Sequence, residues 1–175
     1  ISTFYAYRNI FKSHKPDDAR NALNDIDFLK NIGAYKTDRE SGITGLTVAG
    51  LLMFGKSISI EDALPNYNLD YQERPRAVTE QRWIDRLTID GSWSGNVFDF
   101  YRIVINKLFA NIKVPFKLEG DKRKDDTPVH HAIREALINT LVHADFTDRI
   151  SVLIVKRPDM FGFRNPGNMR IPIEV

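Results

Sequence analysis

The chain has 175 residues, of which 42% are hydrophobic and 11% aromatic, enough for one large domain or two small ones with a real core. The absence of cysteine excludes disulfide frameworks, thiolate zinc sites and cysteine nucleophiles, and we expect a cytoplasmic protein. A net charge of +2 argues against a large basic groove for nucleic acid, and the lack of any run of about 18 apolar residues argues against a membrane-spanning helix.

The first third of the chain predicts several short helices. Ser2–Lys12 is rich in aromatic residues spaced for one face of a helix, which we expect to pack in the core. Asn24 is predicted to cap a helix that stops at Gly33. A charged loop, Lys36–Gly42, then leads to a second apolar helix that is predicted to end at Gly55.

Helix, charged loop and helix could form part of a winged helix, with Lys36 and Arg39 directed at phosphate. Asp38 and Glu40 lie in the same loop and would oppose such binding. A plain packing module explains the apolar sequence equally well, so both interpretations stay open.

Short basic clusters stand at three places along the chain. The first interpretation of each is solvated surface, because each is short and the last is followed by two aspartates. Direct nucleic-acid binding through them is a weaker alternative, which predicts steep salt dependence. The clusters are Lys12 to Arg20, Arg74 to Arg86, and Lys122 to Lys124.

Two strands and a long helix are predicted in the middle of the chain. Leu64–Tyr71 alternates apolar and polar residues, as a half-buried strand does, and Arg82–Leu87 indicates a second strand. Ser94 begins a long helix whose apolar residues form a wide face, and Pro115 is expected to end it.

The most informative pattern follows, since Glu135, Asn139 and His143 recur every four residues in an otherwise apolar helical segment. Positions i, i+4 and i+8 drift by only about 40° per step around a helix, so these side chains would line one edge. The apolar residues between them can be buried against a sheet. Thr127 as the capping residue and Pro128 at the first helical position mark where this helix starts.

After the polar helix, the sequence predicts a hairpin and a tight turn. Ile150–Val155 and Met160–Phe163 are the two strands, with the hairpin turn at Pro158 and Asp159. Asn165–Asn168 is a glycine-containing turn that would bring backbone close to the adjoining space. Polar helix edge, hairpin and turn could therefore frame one pocket.

The run from Arg134 to Pro172 resembles the ATP-binding domain of the gyrase, Hsp90, histidine kinase and MutL group, abbreviated GHKL. More narrowly, it is similar to a branch found in bacterial transcriptional regulators that are labelled RecG-related. Leu46–Gly55 resembles a phrase that precedes the ATP-binding part in that branch. The resemblance implies an α+β fold: an incomplete α/β sandwich of the GHKL type, preceded by a small mixed α/β linking module of winged-helix-like character.

The resemblance also implies ATP and Mg²⁺ as cofactors and gives roles to individual residues. Glu135 becomes the candidate general base and Asn139 the candidate Mg²⁺ ligand, which suits a metal that prefers oxygen and keeps several waters. Asn165 stands where the wider group reads adenine with an aspartate, and it can still accept from and donate to a base edge. The candidate cofactor-binding residues are Asn139, His143, Asp145, Asn165 and Gly167.

We expect a linking module of short helices and strands over residues 1–92 and the N-terminal part of an ATP-binding domain over residues 93–175. The start at Ile1 and the lack of a later glycine-rich segment suggest a piece of a longer protein. The implied function is ATP sensing in a transcriptional regulator that contacts DNA through a domain outside this chain. A homo-oligomer is left open.

The alternative is a non-catalytic structural or protein-interaction fragment with a degenerate nucleotide site. Whether the chain is a Mg²⁺-dependent ATPase is also left open by the sequence. A P-loop helicase motor is disfavoured, because the sequence contains no Gly-x-x-x-x-Gly-Lys-Ser/Thr loop.

Overall fold

The computed structural model describes residues 2–76, 82–110, 112, 118–119, 122–123 and 127–168, with only the backbone at 118–119 and 122–123. These residues form a mixed α+β fold, as predicted, with helices and small sheets. The chain divides into two compact units, residues 1–63 with 90–99 (unit 1) and residues 64–89 with 100–175 (unit 2). No helix within the described residues is long and apolar enough to cross a membrane.

Unit 1 is mainly helical, with one small antiparallel hairpin. A short 3₁₀ turn, Ala19–Ala22, separates its first two helices. The helices are α1 (Ser2–His14), α2 (Asp25–Asn31), α3 (Val48–Phe54) and α4 (Ser57–Ala63), and the strands β1 (Tyr35–Thr37) and β2 (Thr44–Leu46) pair with each other.

The aromatic residues of α1 form the core of unit 1, which confirms their predicted packing role. The Phe4 ring lies 6.0 Å from Phe28 and 5.6 Å from Phe54, in edge-to-face contacts. Tyr7 makes a similar contact with Phe98 at 5.5 Å. Tyr5 differs, because its side chain is exposed and its hydroxyl donates a hydrogen bond to Asp25.

The predicted helix ends in unit 1 are confirmed. The Asn24 side chain accepts a hydrogen bond from the Asp27 N–H at 2.9 Å, and Gly33 follows α2 with a φ of +76°. Thr47 caps α3 by accepting from the Gly50 N–H at 3.1 Å, and α3 ends at Gly55.

The charged loop between these helices begins later than predicted, because β1 includes its first two residues, Lys36 and Thr37, and β2 starts only at Thr44, after its predicted end. The Thr37 and Thr44 hydroxyls lie 2.8 Å apart across the hairpin. At the tip, the Ser41 hydroxyl and N–H donate to the Asp38 carboxylate, and these bonds lower the Asp38 pKa. The winged-helix interpretation of this hairpin stays a prediction.

Unit 2 is built on a four-stranded sheet. Its strands are β3 (Leu69–Glu73), β4 (Asp85–Leu87), β7 (Val152–Arg157) and β8 (Met160–Arg164), and its helices are α5 (Val97–Phe109) and α6 (Pro128–Val142). The strand order is β4-β3-β7-β8; the β3–β7 pair is parallel and the two outer pairs are antiparallel. A two-residue pair, β5 (Leu118–Glu119) with β6 (Lys122–Arg123), is separate.

Strand β3 lies at the centre of the sheet, which corrects the predicted half-buried strand over 64–71. It begins at Leu69, and Asp70, Tyr71 and Gln72 are buried along with Leu69. Both edges of β3 pair with a neighbouring strand, so its backbone is hydrogen-bonded on either side. The predicted hairpin at Pro158–Asp159 is confirmed by the β7–β8 pairing.

One face of the sheet packs against the helices. Along β7, Val152, Ile154 and Lys156 are buried. The Lys156 ammonium donates to the Lys107 carbonyl in α5 at 2.8 Å. The intervening residues of β7 point to the opposite face and are only half-buried.

The observed units differ from the predicted division at residues 92 and 93. β3 and β4, which that division placed in the linking module, pair within the sheet of unit 2. Residues 90–99, including the first turn of α5, group with unit 1 instead. The reason is long-range: the partner of β3 is β7, about eighty residues later in the chain, and local pattern carries no information on that pairing.

Helix α5 begins three residues later than predicted. Asn96 accepts from the Asp99 N–H at 2.9 Å, so the cap is Asn96, and the Ser94 hydroxyl donates to the Asp99 carboxylate at 2.6 Å. Ile112 follows the end of the helix. Pro115, which was expected to end it, lies outside the described residues.

Candidate functional site

Helix α6 has the two-sided character that its sequence predicts. It buries Ile133, Leu137 and Leu141 and exposes Glu135, Asn139 and His143, which we call the α6 edge. Apolar residues border this edge, with Ile138 40% and Val142 70% exposed. Val129, which was predicted to lie on the buried side, is 51% exposed.

The start of α6 is held by a residue that the sequence pattern did not assign. Thr127 is the N-cap residue, as predicted, and its N–H donates to the Nδ1 atom of His130 at 3.3 Å. The Thr127 hydroxyl lies 2.8 Å from the same nitrogen. His130 is buried, and its ring packs edge-on against Phe109 at 4.6 Å. His130 is thus part of the helix cap.

The far end of α6 is bonded directly to the turn Asn165–Gly167, which we call the Asn-Pro-Gly turn. The Asn165 side-chain amide donates to the backbone carbonyl of His143 at 3.1 Å. The Asp145 N–H donates to the Pro166 carbonyl, also at 3.1 Å. These two bonds join segments that are about twenty residues apart in the sequence.

Gly167 makes the close approach possible. Its φ is +108°, a conformation that residues with a side chain rarely adopt. A Cβ atom at this position would lie 3.1 Å from the Cβ of Asp145, which is tighter than ordinary contact. Pro166 beside it is buried, whereas Asn165 and Gly167 are exposed. The glycine is therefore required by both conformation and space.

Asp145 organises the connection from α6 to β7. Its Oδ1 atom accepts from the Thr147 N–H at 3.0 Å and from the Thr147 hydroxyl at 2.6 Å, as in an Asx turn. The Thr147 carbonyl accepts from the Asn66 side chain at 2.8 Å, and Phe146 packs against Tyr67 at 5.3 Å. The connection is thus fixed to the segment that precedes β3.

The structure brings the predicted site residues together as one exposed polar region. Glu135 and Asn139 lie one turn apart on the α6 edge, and His143 ends that edge at the Asn-Pro-Gly turn. Sequence reasoning missed the supporting residues Thr147 and Asn66. The Asp-x-Thr spacing at 145–147 was a usable turn signal, whereas Asn66 offered none, because its partner is far away in sequence.

The side-chain groups of this region that could act as metal ligands are oxygen atoms and one imidazole. The Asn139 carboxamide and the Glu135 carboxylate are exposed on adjacent turns, where side chains four residues apart are neighbours. Oxygen donors suit Mg²⁺, which takes few protein ligands when phosphates supply the others. Within the described residues, no group of three or more histidine or carboxylate side chains gathers to hold a metal ion.

Comparison with known proteins shows a fold-level likeness. The chain is similar to the crystal structure of the DIP2311 protein from Corynebacterium diphtheriae, with a TM-score of 0.62 and 20% sequence identity. The match covers 97% of this chain and 31% of that protein, so this chain spans about a third of its length. A model of DUF8451, a domain of unknown function, matches residues 1–70. No curated protein matches.

Proposed function

We propose that this chain is the nucleotide-binding portion of a DNA-binding transcriptional regulator and that it binds ATP with Mg²⁺ at the α6 edge and the Asn-Pro-Gly turn. The observation that carries the proposal is the pair of hydrogen bonds from Asn165 to His143 and from Asp145 to Pro166. They place the two motifs of the GHKL resemblance beside each other. By that resemblance, the DNA contact belongs to a domain outside this chain.

The α6 edge supplies the groups for the phosphate end of the nucleotide. Asn139 would hold Mg²⁺ through its carboxamide oxygen, and the bound ion would offset the negative charge of the phosphates. Glu135, one turn earlier, is an exposed carboxylate that can accept a proton from water. Binding does not require that proton transfer, so nucleotide sensing without hydrolysis fits the same residues.

The Asn-Pro-Gly turn supplies the groups for the base end. The Asn165 amide nitrogen donates one of its two hydrogens to the His143 carbonyl, and within the described residues its side-chain oxygen accepts no hydrogen bond. That oxygen can accept from an exocyclic amino group such as that of adenine. Guanine presents a carbonyl at the corresponding position, so an acceptor there favours adenine. His143, Asp145 and Gly167 border the same surface.

A second function is a non-catalytic structural or protein-interaction fragment. One observation favours it: the Asn165 amide and the Asp145 carboxylate both bond to other parts of this chain. Polar groups of the turn then serve to hold the end of α6 and need no ligand. This alternative predicts that no nucleotide stabilises the protein.

The two functions differ in a thermal-shift experiment with Mg-ATP, Mg-GTP and ATP with EDTA. A ligand at 100 times its Kd stabilises the native state by about 2.7 kcal/mol, which corresponds to a Tm rise of several degrees for a chain of this size. We expect the rise with Mg-ATP only, and expect Asn139→Ala to abolish it. Asn106→Ala removes an exposed asparagine from α5 and is the matched control. No rise with any nucleotide would favour the second function.

A further inference from the structure

The two units carry charge of opposite sign. Unit 2 holds 17 of the 25 lysine and arginine residues and 13 of the 23 aspartate and glutamate residues, which gives it a net charge of +4. Unit 1 has the remaining 8 basic and 10 acidic residues, a net charge of −2. The overall value of +2 therefore hides a basic unit, and the position of its cations decides what that charge can do.

Arginines of unit 2 gather on the sheet face opposite the helices. Arg86 of β4 is paired with Gln72 of β3, and Leu153 of β7 is paired with Asp70 of β3 and with Arg164 of β8. These side chains lie on the same side of the sheet. Lys156 lies between Val155 and Arg157 on β7, so its side chain points to the other side of the sheet, where it contacts α5. The face outward from the helices thus carries arginine on both outer strands. We call it the arginine face; its residues are Asp70, Gln72, Arg74, Arg86, Leu153, Val155, Arg157, Met160, Gly162 and Arg164.

Two arginines of this face, Arg86 and Arg74, are held in place by hydrogen bonds to neighbouring side chains. The Arg86 guanidinium donates two hydrogen bonds to the Asp70 carboxylate, at 3.1 and 3.0 Å. Asp70 also accepts from the Gln72 amide at 2.6 Å, and the Gln72 oxygen accepts twice from Arg74, at 2.9 and 2.6 Å. This chain of bonds fixes both side chains, so they lose little freedom when a partner binds.

Positive charge exceeds negative charge on the arginine face. Asp70 offsets Arg86, and Asp159 pairs with Arg157, whose guanidinium also donates to the Arg76 carbonyl. Arg74 bonds to a neutral amide and Arg164 to the Ser151 hydroxyl. Within the part of the chain that the structure describes, neither forms an ion pair. Their charges remain available to an anionic partner. The charge of Arg157 is available as well, because its exposed pair with Asp159 at 3.2 Å contributes little stability and can be exchanged for a phosphate.

Apolar side chains lie between the arginines, and we call them the apolar strip. Leu153 and Val155 are half-buried, and Met160 is 47% exposed. Neighbouring strands are about 4.8 Å apart, so four strands separate the outer arginines by roughly 14 Å. A surface of this width with fixed guanidinium groups at its borders matches a repeating anion better than a single small one.

We propose that the arginine face binds the phosphodiester backbone of a nucleic acid. Guanidinium groups suit phosphate oxygens, because their planar donors form paired hydrogen bonds and keep their charge at all accessible pH values. The apolar strip contacts sugar and base edges without reading sequence. This contact is separate from any DNA-binding domain outside the chain and from the nucleotide site on α6.

The test is fluorescence anisotropy of labelled 20-nucleotide probes (single-stranded DNA, duplex DNA and single-stranded RNA) between 50 and 200 mM salt. Three phosphate contacts on a single strand give a slope of log affinity against log salt near −2, which weakens binding about 20-fold over that range. The variant Arg74→Gln, Arg157→Gln, Arg164→Gln should lose most of that slope and bind at least about tenfold more weakly at 50 mM salt. The duplex and single-stranded arms show which backbone form binds more tightly, and tighter binding of either fits the proposal.

The matched control is Lys12→Gln, Lys15→Gln, Lys36→Gln, which removes the same charge from exposed positions of unit 1. It should bind within about twofold of the wild type. Equal weakening by both triple variants would mean general attraction and would overturn the proposal, as would equal binding of polyglutamate of the same charge. If the triple variant loses its fold by circular dichroism, Arg164→Gln alone should reduce the slope by about 0.7, and Arg164→Lys should restore it.

Discussion

The side-chain amide of Asn165 donates a hydrogen bond to the backbone carbonyl of His143 at 3.1 Å, and so ties the Asn-Pro-Gly turn to the end of α6. His143 is the C-cap residue of that helix, where backbone carbonyls lack helical partners. The bond therefore satisfies a helix end and sets the position of the turn at the same time.

Asn165→Asp tests this bond, because a carboxylate cannot donate to the His143 carbonyl. We expect a loss of about 1 kcal/mol in the free energy of unfolding, measured by urea denaturation. Asn168→Asp adds the same charge three residues later and should leave stability nearly unchanged. Equal losses in the two variants would show that the charge, and not the lost donor, is responsible.

Gly167→Ala tests the close approach of the turn to Asp145. The positive φ alone should cost about 1 kcal/mol, and the Cβ contact with Asp145 should add to that cost. Gly91→Ala is the control, because Gly91 has a φ of +83° and open space around it. A thermal-denaturation difference between the variants measures the contact. If both variants lose the same stability, the contact with Asp145 has no energetic role.

Gly50→Ala tests the packing of α3 against the segment after α2. A Cβ atom at Gly50 would lie 2.1 Å from the Ala34 carbonyl oxygen, so the backbone must move. We expect a loss of about 3 kcal/mol by chemical denaturation, at the upper end for overpacking. Gly45→Ala, whose Cβ would meet nothing within 4 Å, should change stability by less than about 0.5 kcal/mol. Wild-type stability in Gly50→Ala would contradict this packing.

Tyr71 should make the stability of unit 2 fall at high pH. Burial, together with the Glu73 carboxylate, raises the pKa of Tyr71 above its ordinary value of 10. Below pH 10 both the folded and the unfolded state keep the proton. Above it the unfolded state releases the proton first, so unfolding becomes easier as the pH rises.

Tyr71→Phe removes the titrating group and should reduce the loss of unfolding free energy between pH 9 and pH 11 by about 1 kcal/mol. Denaturant midpoints at the two pH values measure it. Tyr35→Phe, at a half-buried tyrosine on β1, is the comparison variant, and an equal change in both variants would mean that the effect is not specific to Tyr71. An unchanged pH dependence in Tyr71→Phe would mean that Tyr71 is not the group responsible.

Features with a local signal were predictable from the sequence. Thr127 and Pro128 marked the start of α6, the four-residue spacing gave its exposed edge, and Pro158–Asp159 gave the β7–β8 hairpin. Each depends on residues within a turn or two of one another. The helix periodicity and the turn chemistry therefore contained the information.

Features that depend on distant residues were not predictable. Because β3 pairs with β7, it lies at the centre of the sheet and belongs to unit 2. The expected boundary near residue 92 placed it in the linking module instead. Strands β1 and β2 each have only three residues and follow no alternation long enough to detect. At the site, the bond from Asn165 to His143 depends on the arrangement of α6 and β8, which no local pattern specifies.

The most direct test of the nucleotide site is a two-dimensional NMR titration of the ¹⁵N-labelled protein with Mg-ATP. We predict that the backbone amides of Asn139, His143, Asp145 and Gly167 shift together on addition of Mg-ATP, while that of Asn106 on α5 stays in place. A spectrum that does not change would contradict the account. So would shifts confined to unit 1, for example around the cavity of about 140 Å³ that Gly33 and Gly50 help to line.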